Sequence, residues 1–380
     1  MLIMMDSIIE DLFETNCVKM GEFTLKNGEL SKYYFDLKNL VSFPQLLKSI
    51  GDEIYKIIKD LDIDVICGVP IGGLPLCTYI STTYNIPMIM VRNEIKSYGT
   101  SKQVEGTYKT TDKCLIIEDV ITTGTSIEKV VTILENKVNV IGAAVILDRQ
   151  QGHQCGIPVS SLITKTDIIR YRLRTIINNK KTNLCFSADL DDNEKVLQIL
   201  ENIGPYIAIC KIHYDCMNQS YDVKQQLIAL SIKHNFLIME DRKFVDISYI
   251  VKRQYKQYSN WVDLVTVMGN VNPQVVSEIS CALLVANMSN NDFDFTYKAI
   301  ETARLYPNNT IGFITQNRIN VEKMFCMTSG ISLSSQSDKD QNYRTVSDVD
   351  TDIIIVGRGI YQQDNYIEAC KSYISNYSKL

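Results

Sequence analysis

The sequence of 380 residues contains 45% hydrophobic and 22% charged residues and has a formal net charge of −5. A chain of this length is too long for one ordinary hydrophobic core, so we predict two domains. The acidic balance, without clustered Lys and Arg, argues against a nucleic-acid-binding protein. No apolar run approaches 18 residues, and no basic segment followed by a long apolar stretch begins the chain. We therefore expect neither a membrane span nor a signal peptide.

The cysteines and histidines restrict the chemistry. Eleven cysteines, an odd number without a C-x-x-C pair, lie mostly inside apolar runs. This pattern indicates buried, reduced thiols in a cytoplasmic protein and not a disulfide framework or a zinc site. A multi-histidine metal centre or a histidine-based triad is difficult to build from His153, His213 and His234 alone. Lysine and carboxylate chemistry is favoured instead.

Residues 1–165 alternate between helical and strand patterns. Helical periodicity covers residues 7–16 and 44–61, and apolar runs bounded by turns follow at residues 65–68, 86–91, 114–117 and 140–147. Buried strands separated by helices predict an α/β domain with a Rossmann-like parallel sheet. Residues 92–107 are polar, contain two glycines and are predicted to form a long mobile loop.

Residues 166–182 are predicted to form a helical linker. Apolar side chains recur at helical spacing, namely Ile168, Ile169, Leu173, Ile176 and Ile177. We expect Arg170, Arg172 and Arg174 to form a solvated face of this helix.

Residues 183–380 resume the alternation in a second domain. Its apolar runs lie at residues 183–188, 206–211, 236–240, 263–268, 282–286, 310–314, 325–328 and 352–356. Eight strand candidates, most of them separated by helical stretches, predict a compact (β/α)8 TIM barrel.

A phosphate-binding motif occupies residues 114–126, which read Cys-Leu-Ile-Ile-Glu-Asp-Val-Ile-Thr-Thr-Gly-Thr-Ser. A buried strand ends in the two acids Glu118 and Asp119, and a loop of small hydroxylated residues then opens a helix. Backbone N–H groups at a helix start, with threonine hydroxyls beside them, form an anion site. The acids can accept hydrogen bonds from sugar hydroxyls. The combination favours phosphate binding over a merely capped helix.

This motif resembles the phosphoribosyl pyrophosphate motif of type I phosphoribosyltransferases. The resemblance implies that Glu118 and Asp119 hold the ribose hydroxyls and that residues 68–73 form the pyrophosphate loop. It also implies Mg2+, held mainly by phosphoribosyl pyrophosphate rather than by protein ligands. The 5′-phosphate cradle would consist of Thr122, Thr123, Gly124, Thr125 and Ser126.

Three further segments resemble orotate phosphoribosyltransferases. They are residues 23–28 with the following Tyr33-Tyr34-Phe35, residues 92–100, which resemble the family's mobile hood loop, and residues 147–152. The resemblance implies pyrophosphate contacts from Arg92 and Lys96, the latter a catalytic residue, although Asn93 replaces the usual second basic residue. Since the hood loop acts on a neighbouring subunit in this family, a dimer is implied. The implied orotate-side residues are Lys26, Tyr34, Phe35 and Arg149.

A charged cluster at residues 240–246 reads Glu-Asp-Arg-Lys-Phe-Val-Asp and follows an apolar run. Asp241 and Lys243 are two residues apart at a strand end, so we expect them to project to one face. Lys211 ends the preceding strand, and active sites of barrels lie at this end. Alternating Asp and Lys charges neutralise each other while keeping a strong local field, which suits stabilisation of developing charge. A structural salt-bridge network is the alternative.

Residues 182–359 resemble orotidine 5′-monophosphate decarboxylases. The resemblance implies a catalytic tetrad of Lys211, Asp241, Lys243 and Asp246, with Asp246 reaching the partner subunit's site. It also implies decarboxylation without a cofactor, protonation of C6 by Lys243, and a lid at residues 330–341. Ile212 and Ile250 stand where that family usually has threonines. The implied substrate contacts are Ser187, Asp189, Ser289, Gln341, Tyr343, Gly357 and Arg358.

The fused order predicts a bifunctional enzyme of pyrimidine biosynthesis. It would join orotate and phosphoribosyl pyrophosphate into orotidine monophosphate (OMP), release pyrophosphate, and decarboxylate OMP to uridine monophosphate, as a homodimer or a higher homo-oligomer. One alternative is a phosphoribosyltransferase with a decayed, regulatory barrel; retention of all four tetrad charges argues against it. A magnesium-dependent sugar-phosphate lyase can share D-x-K-x-x-D, but Lys211 and the first domain disfavour it.

Overall fold

The computed structural model describes residues 2–25, 28–92, 102–290, 293–334, 337–338 and 341–375. The chain divides into two compact units. Unit 1 comprises Met1–Lys19 and Tyr34–Ile168, and unit 2 comprises Met20–Tyr33 and Ile169–Leu380. Within the described ranges, no helix is both long enough and apolar enough to cross a lipid bilayer.

The first part of the chain contains a parallel α/β sheet. Its elements are α1 (Leu2–Glu14), β1 (Val18–Thr24), β2 (Leu30–Phe35), α2 (Pro44–Ile58), β3 (Val65–Gly68), α3 (Gly73–Tyr84), β4 (Met88–Val91), β5 (Val104–Glu105), β6 (Lys113–Ile121), α4 (Thr125–Leu134), β7 (Asn139–Asp148), β8 (Val159–Thr164) and α5 (Lys165–Lys180).

The sheet order is β5-β4-β3-β6-β7-β8, with β5 antiparallel to β4 and the other neighbours parallel. Its central strands are apolar on both faces because helices cover both sides. Val65, Cys67, Ile116 and Val145 belong to its core. The predicted parallel sheet is confirmed.

Sequence patterns missed β8 and the two-stranded β1–β2 sheet, and they assigned β5 to a loop. Polar residues interrupt β1, β2 and β8, and β5 has only two residues, so none of them shows an apolar run. Residues 93–101 of the predicted mobile loop lie outside the described residues.

The second part of the chain is a closed barrel. Its elements are β9 (Leu184–Ser187), α6 (Asn193–Ile203), β10 (Ile209–Ile212), α7 (Tyr221–Lys233), β11 (Leu237–Phe244), α8 (Ser248–Lys256), β12 (Leu264–Met268), β13 (Ala282–Val285), α9 (Thr296–Leu305), β14 (Thr310–Ile314), β15 (Phe325–Thr328), the short strands β16 (Ile331–Ser332), β17 (Ser337–Asp338), β18 (Gln341–Asn342) and β19 (Arg344–Thr345), then β20 (Ile353–Val356), α10 (Arg358–Tyr361) and α11 (Tyr366–Ser375).

The eight barrel strands run in the order β10-β11-β12-β13-β14-β15-β20-β9 and all pair in parallel. Each overlaps one of the eight predicted apolar runs, so the predicted TIM barrel is confirmed. Ten of the eleven cysteines are buried, and none is in a disulfide. A single tryptophan, Trp261, is buried in the barrel unit.

The expected solvated arginine face of α5 is wrong. Arg170 and Arg172 are both buried. Arg170 donates hydrogen bonds to the carbonyl oxygens of Lys323, at 3.1 Å, and Thr310, at 2.9 Å. A guanidinium carries five donors, so it can satisfy backbone acceptors inside the barrel unit that the helical pattern does not reveal.

Residues 20–33, expected in the first domain, group with the barrel unit instead. A buried ion pair links this segment to the barrel unit. The Nζ atom of Lys32 lies 2.5 Å from Oδ2 of Asp263 and 2.6 Å from Oγ of Ser231. The hydroxyl of Tyr33 donates to Oδ1 of Asp263 at 2.5 Å. Because Lys32 and Asp263 are both fully buried, neither can exchange its partner for water.

We predict that Lys32→Met destabilises the barrel unit by about 3–5 kcal/mol, because the Asp263 carboxylate would stay buried without its ammonium partner. Chemical denaturation of the full chain, followed by the fluorescence of Trp261, measures this. Lys48→Met is the matched control, since Lys48 forms an exposed pair with Asp52. Equal denaturation midpoints for the two variants would contradict the role given to Lys32.

Candidate active sites

The first candidate site begins at the loop between β6 and α4. Gly124 has a φ of +85°, and α4 begins at the next residue. A Cβ at Gly124 would lie 3.1 Å from Cβ of Cys155, so both the backbone conformation and the space favour glycine. The hydroxyls of Thr123 and Thr125 lie 3.0 Å apart. This loop has the N–H groups and hydroxyls of an anion site.

Two buried acids end β6 beside this loop. Burial, followed by the neighbouring Asp119, raises the pKa of Glu118 to about 8, while a hydrogen bond with Ser126 opposes the rise. A Cβ at Gly72 would lie only 2.2 Å from Oδ2 of Asp119. Glycine therefore lets the predicted pyrophosphate loop approach the acids.

Lys38, which sequence reasoning missed, places its Nζ 3.2 Å from Oδ2 of Asp119. It lies in a helical turn far from the motif in sequence, so only the folded chain reveals the contact.

The residues expected to contact orotate are partly brought together. The guanidinium of Arg149 lies 5.2 Å from the ring centre of Phe35, and burial lowers the pKa of Arg149. Tyr34 is exposed. Arg92, an expected pyrophosphate contact, donates from Nε to Oε1 of Glu105 at 3.0 Å. Lys26 and Lys96 lie outside the described residues.

The second candidate site is a cavity of about 260 Å³ at the carboxyl ends of the barrel strands. A barrel directs the residues that follow its strands to this end. Most of the predicted barrel-site residues line the cavity: Ser187, Asp189, Lys211, Asp241, Lys243, Ser289, Tyr343, Gly357 and Arg358.

A chain of alternating charges crosses this cavity. Nζ of Lys211 lies 3.1 Å from Oδ1 of Asp189 and 3.0 Å from Oδ2 of Asp241. Nζ of Lys243 lies 2.8 Å from the same Oδ2 of Asp241. Burial alone would raise the pKa of Asp241, but the two lysines outweigh it and hold that pKa well below its usual range. Burial alone would lower the pKa of Lys211, but Asp241 and Asp189 outweigh this effect, so the pKa of Lys211 is raised.

His213 belongs to the network and was missed. Its Nε2 lies 3.0 Å from Nζ of Lys211, whose three hydrogens therefore face three acceptors: Asp189, Asp241 and His213. Burial, then Lys211, lowers the pKa of His213, which favours the neutral imidazole. The available signal was its position two residues after Lys211, on the same face of the chain.

The residues predicted to contact the phosphate also line the cavity. The guanidinium of Arg358 lies 5.6 Å from the ring centre of Tyr343. A Cβ at Gly357 would lie 3.2 Å from the carbonyl oxygen of Ser187, and one at Gly330 only 2.7 Å from Cβ of Ser289. The side chain of Gln341 and part of the predicted lid lie outside what the structure describes.

Asp246 lies apart from the other three charges. It is exposed after β11, accepts a hydrogen bond from the N–H of Ile247 at 2.7 Å, and does not pair with Lys211 or Lys243 within the described part of this chain. Val245, Ile247 and Tyr249 beside it are also exposed. The site of a single chain thus contains three of the four tetrad charges.

Glu240 is a fully buried acid directly before Asp241. Its Oε2 accepts a hydrogen bond from the N–H of Tyr214 at 2.9 Å, and Oε1 has no partner within the described residues. Burial raises the pKa of Glu240 to about 8. At pH 7 the side chain is therefore mainly a neutral acid. Its hydrogen bond connects the turn after β10 to β11.

The two sites define a class of protein, in which a phosphoribosyltransferase-type domain precedes a barrel with a Lys-Asp-Lys network. Residues 36–157 match the family model "Phosphoribosyl transferase domain". Residues 182–373 match the model of the "Orotidine 5'-phosphate decarboxylase / HUMPS family".

The chain belongs to the uridine 5′-monophosphate synthase family. The enzyme of that name from Bos taurus is 30% identical over 97% of this chain and 96% of its own length. An orotidine 5′-phosphate decarboxylase from Pichia kudriavzevii is 37% identical over 55% of this chain and 91% of its own length. An orotate phosphoribosyltransferase from Methanosphaera stadtmanae is 40% identical, covering 39% of this chain and 84% of its own length. The predicted bifunctional organisation is confirmed, and the decayed-barrel alternative has no support.

We predict that Glu240→Gln removes a pH dependence of stability. Since the pKa of Glu240 rises from an ordinary 4.5 to about 8 on folding, the folded chain binds the extra proton between these values. The contribution of Glu240 to the free energy of unfolding therefore weakens as pH rises from about 5 to about 9. The free energy of unfolding of the variant should exceed that of wild type by on the order of 2–4 kcal/mol at pH 9 and by little at pH 5.

Denaturation monitored by Trp261 at both pH values tests this, with the exposed Glu368→Gln as control. A variant whose stability relative to wild type is the same at both pH values would disprove the neutral state of Glu240.

Proposed function

We propose that this chain makes OMP from orotate and phosphoribosyl pyrophosphate in unit 1 and decarboxylates OMP in the barrel, with the residues assigned below. The observation that carries the proposal is the Lys211–Asp241–Lys243 network in the barrel cavity. A purely structural network would not require an open cavity beside it.

In the barrel, the bond between C6 of the pyrimidine and its carboxyl group breaks, and the electron pair stays on C6. The Lys243 ammonium stabilises this carbanion and then donates its proton to C6, after which solvent restores the proton. Asp241 keeps Lys211 and Lys243 charged and oriented. No step requires a redox or electrophilic cofactor. Arg358 and Tyr343 would bind the phosphate, far from the reacting carbon, so that binding energy can be used at C6.

In unit 1, the Thr122–Ser126 loop would bind the 5′-phosphate while Glu118 and Asp119 accept hydrogen bonds from ribose hydroxyls. Phe35 and Arg149 would bind the planar, anionic orotate. Mg2+ would be held mainly by phosphoribosyl pyrophosphate. When bound, Mg2+ would neutralise the pyrophosphate leaving group. Lys96 and Arg92 would supply further positive charge there.

The position of Asp246 supports a homodimer with shared barrel sites. Asp246 is exposed on a segment whose neighbours Val245, Ile247 and Tyr249 are exposed and apolar. An isologous contact through this segment would cover these side chains and carry each Asp246 to the partner's network. The fourth charge would thus come from the other chain.

We predict that Lys243→Ala accumulates OMP while pyrophosphate release continues, because only the second reaction loses its proton donor. The assay supplies carboxyl-labelled orotate, phosphoribosyl pyrophosphate and Mg2+ and measures labelled CO2 and pyrophosphate. Lys252→Ala, on α8, where the Lys252 ammonium pairs with Glu278, is the control and should release both products normally. If the Lys243 variant still produced uridine monophosphate, the role of Lys243 would be wrong. If wild type formed no OMP, the assignment of unit 1 would be wrong.

We predict that Asp246→Asn and Lys243→Ala each lose decarboxylation, whereas dimers that combine both variants recover it. One of the two sites in a mixed dimer would contain only unchanged residues, so random mixing should restore roughly a quarter of the wild-type sites. The measurement is CO2 release from OMP after subunit exchange. If Asp246 acted within its own chain, mixing would restore nothing.

A further inference from the structure

The backbone that carries Lys243 is irregular. Met239 and Glu240 of β11 pair with Leu264 and Val265 of β12, but the next paired residues are Phe244 and Val267. Three residues of β11, Asp241 to Lys243, therefore stand opposite one residue of β12, Thr266. Such bulges redirect side chains and occur next to active sites.

Lys243 also adopts a left-handed backbone conformation, with a φ of +52°. Residues with a Cβ rarely adopt this conformation, and it persists only where surrounding contacts hold it. An observed outlier at a catalytic position justifies the search for the contact that holds it.

The hydroxyl of Thr266 provides this contact. Its Oγ1 accepts a hydrogen bond from the N–H of Lys243 at 2.8 Å and donates one to Oδ1 of Asp241 at 2.8 Å. Thr266 is fully buried, so water does not replace either bond. The other carboxylate oxygen of Asp241, Oδ2, accepts from both Lys211 and Lys243. One hydroxyl therefore fixes the backbone of the proton donor and the orientation of the carboxylate that holds it.

We propose that Thr266 is a positioning residue for decarboxylation, which holds the bulge so that the ammonium of Lys243 faces Asp241 and C6. The inference rests on the proposed function of the barrel site. Thr266 does not line the cavity, so it acts through Lys243 and Asp241 and not on the substrate. Its removal should slow the chemical step more than it weakens OMP binding, because the phosphate contacts remain.

The test compares Thr266→Val, which keeps the shape but removes the hydroxyl, with Thr266→Ser, which keeps the hydroxyl. We expect Thr266→Val to lower kcat for added OMP by about 10- to 100-fold, the scale for a displaced catalytic group, with KM changed less than about threefold. Thr266→Ser should recover kcat to within about threefold of wild type. Pyrophosphate release from orotate and phosphoribosyl pyrophosphate should be unchanged in both variants.

Thr182→Val is the matched control. Thr182 is also buried, and its hydroxyl donates to the carbonyl oxygen of Tyr206 at 2.7 Å, at the opposite end of the barrel. It should lose stability, as judged by Trp261 fluorescence, without losing kcat. A merely structural role for Thr266 would give the same result as Thr182→Val and would overturn the proposal, as would a Ser variant as slow as the Val variant.

Failure of the inference and failure of the proposed function are distinguishable. A wild-type chain that does not decarboxylate OMP refutes the function. A wild-type chain that decarboxylates OMP, with a Thr266→Val variant of equal kcat, refutes the inference alone.

Discussion

The barrel site depends on keeping one carboxylate, Asp241, ionised between two lysines in a largely buried place. Removing these charges from water is costly, and the cost is offset only when each charge meets its partners at hydrogen-bond distance. Lys211 and Lys243 meet this requirement at 3.0 and 2.8 Å from the same oxygen. Closure of the barrel makes this possible, because neighbouring parallel strands end at one rim and point their last side chains towards one cavity.

The surroundings of the network show which groups can be charged. His213 and Glu240 lie within a few residues of it. Burial lowers the pKa of His213 and raises the pKa of Glu240, so the neutral form of each is favoured. The same physical effect acts on Glu118 beside Asp119 in unit 1. In the buried sites of both units, groups with a close partner of opposite charge thus stay ionised, and groups without such a partner favour their neutral form.

Much of the fold follows from local patterns. Eight apolar runs predicted the eight barrel strands, and the alternation with helices predicted both parallel sheets, because a strand buried on both faces must be apolar throughout. The β1–β2 sheet and β8 were missed because polar residues interrupt their apolar side chains. Arg170 and Arg172 were assigned to a solvated face, because helical spacing cannot show that buried oxygen atoms accept their hydrogen bonds. Lys38 and Thr266 were missed because their partners are distant in sequence.

The sequence by itself determined the two domain types, the order of the two reactions, and the residue types at each strand end. Only the tertiary structure decided how these residues meet. Regular alternation would have placed Asp241 and Lys243 on one face, but the chain reaches that result through a bulge and a left-handed residue held by Thr266. Residues 20–33 likewise belong to the barrel unit, to which the Lys32–Asp263 pair links them. Both features rest on contacts between distant residues, whose energies no local pattern of hydrophobicity records.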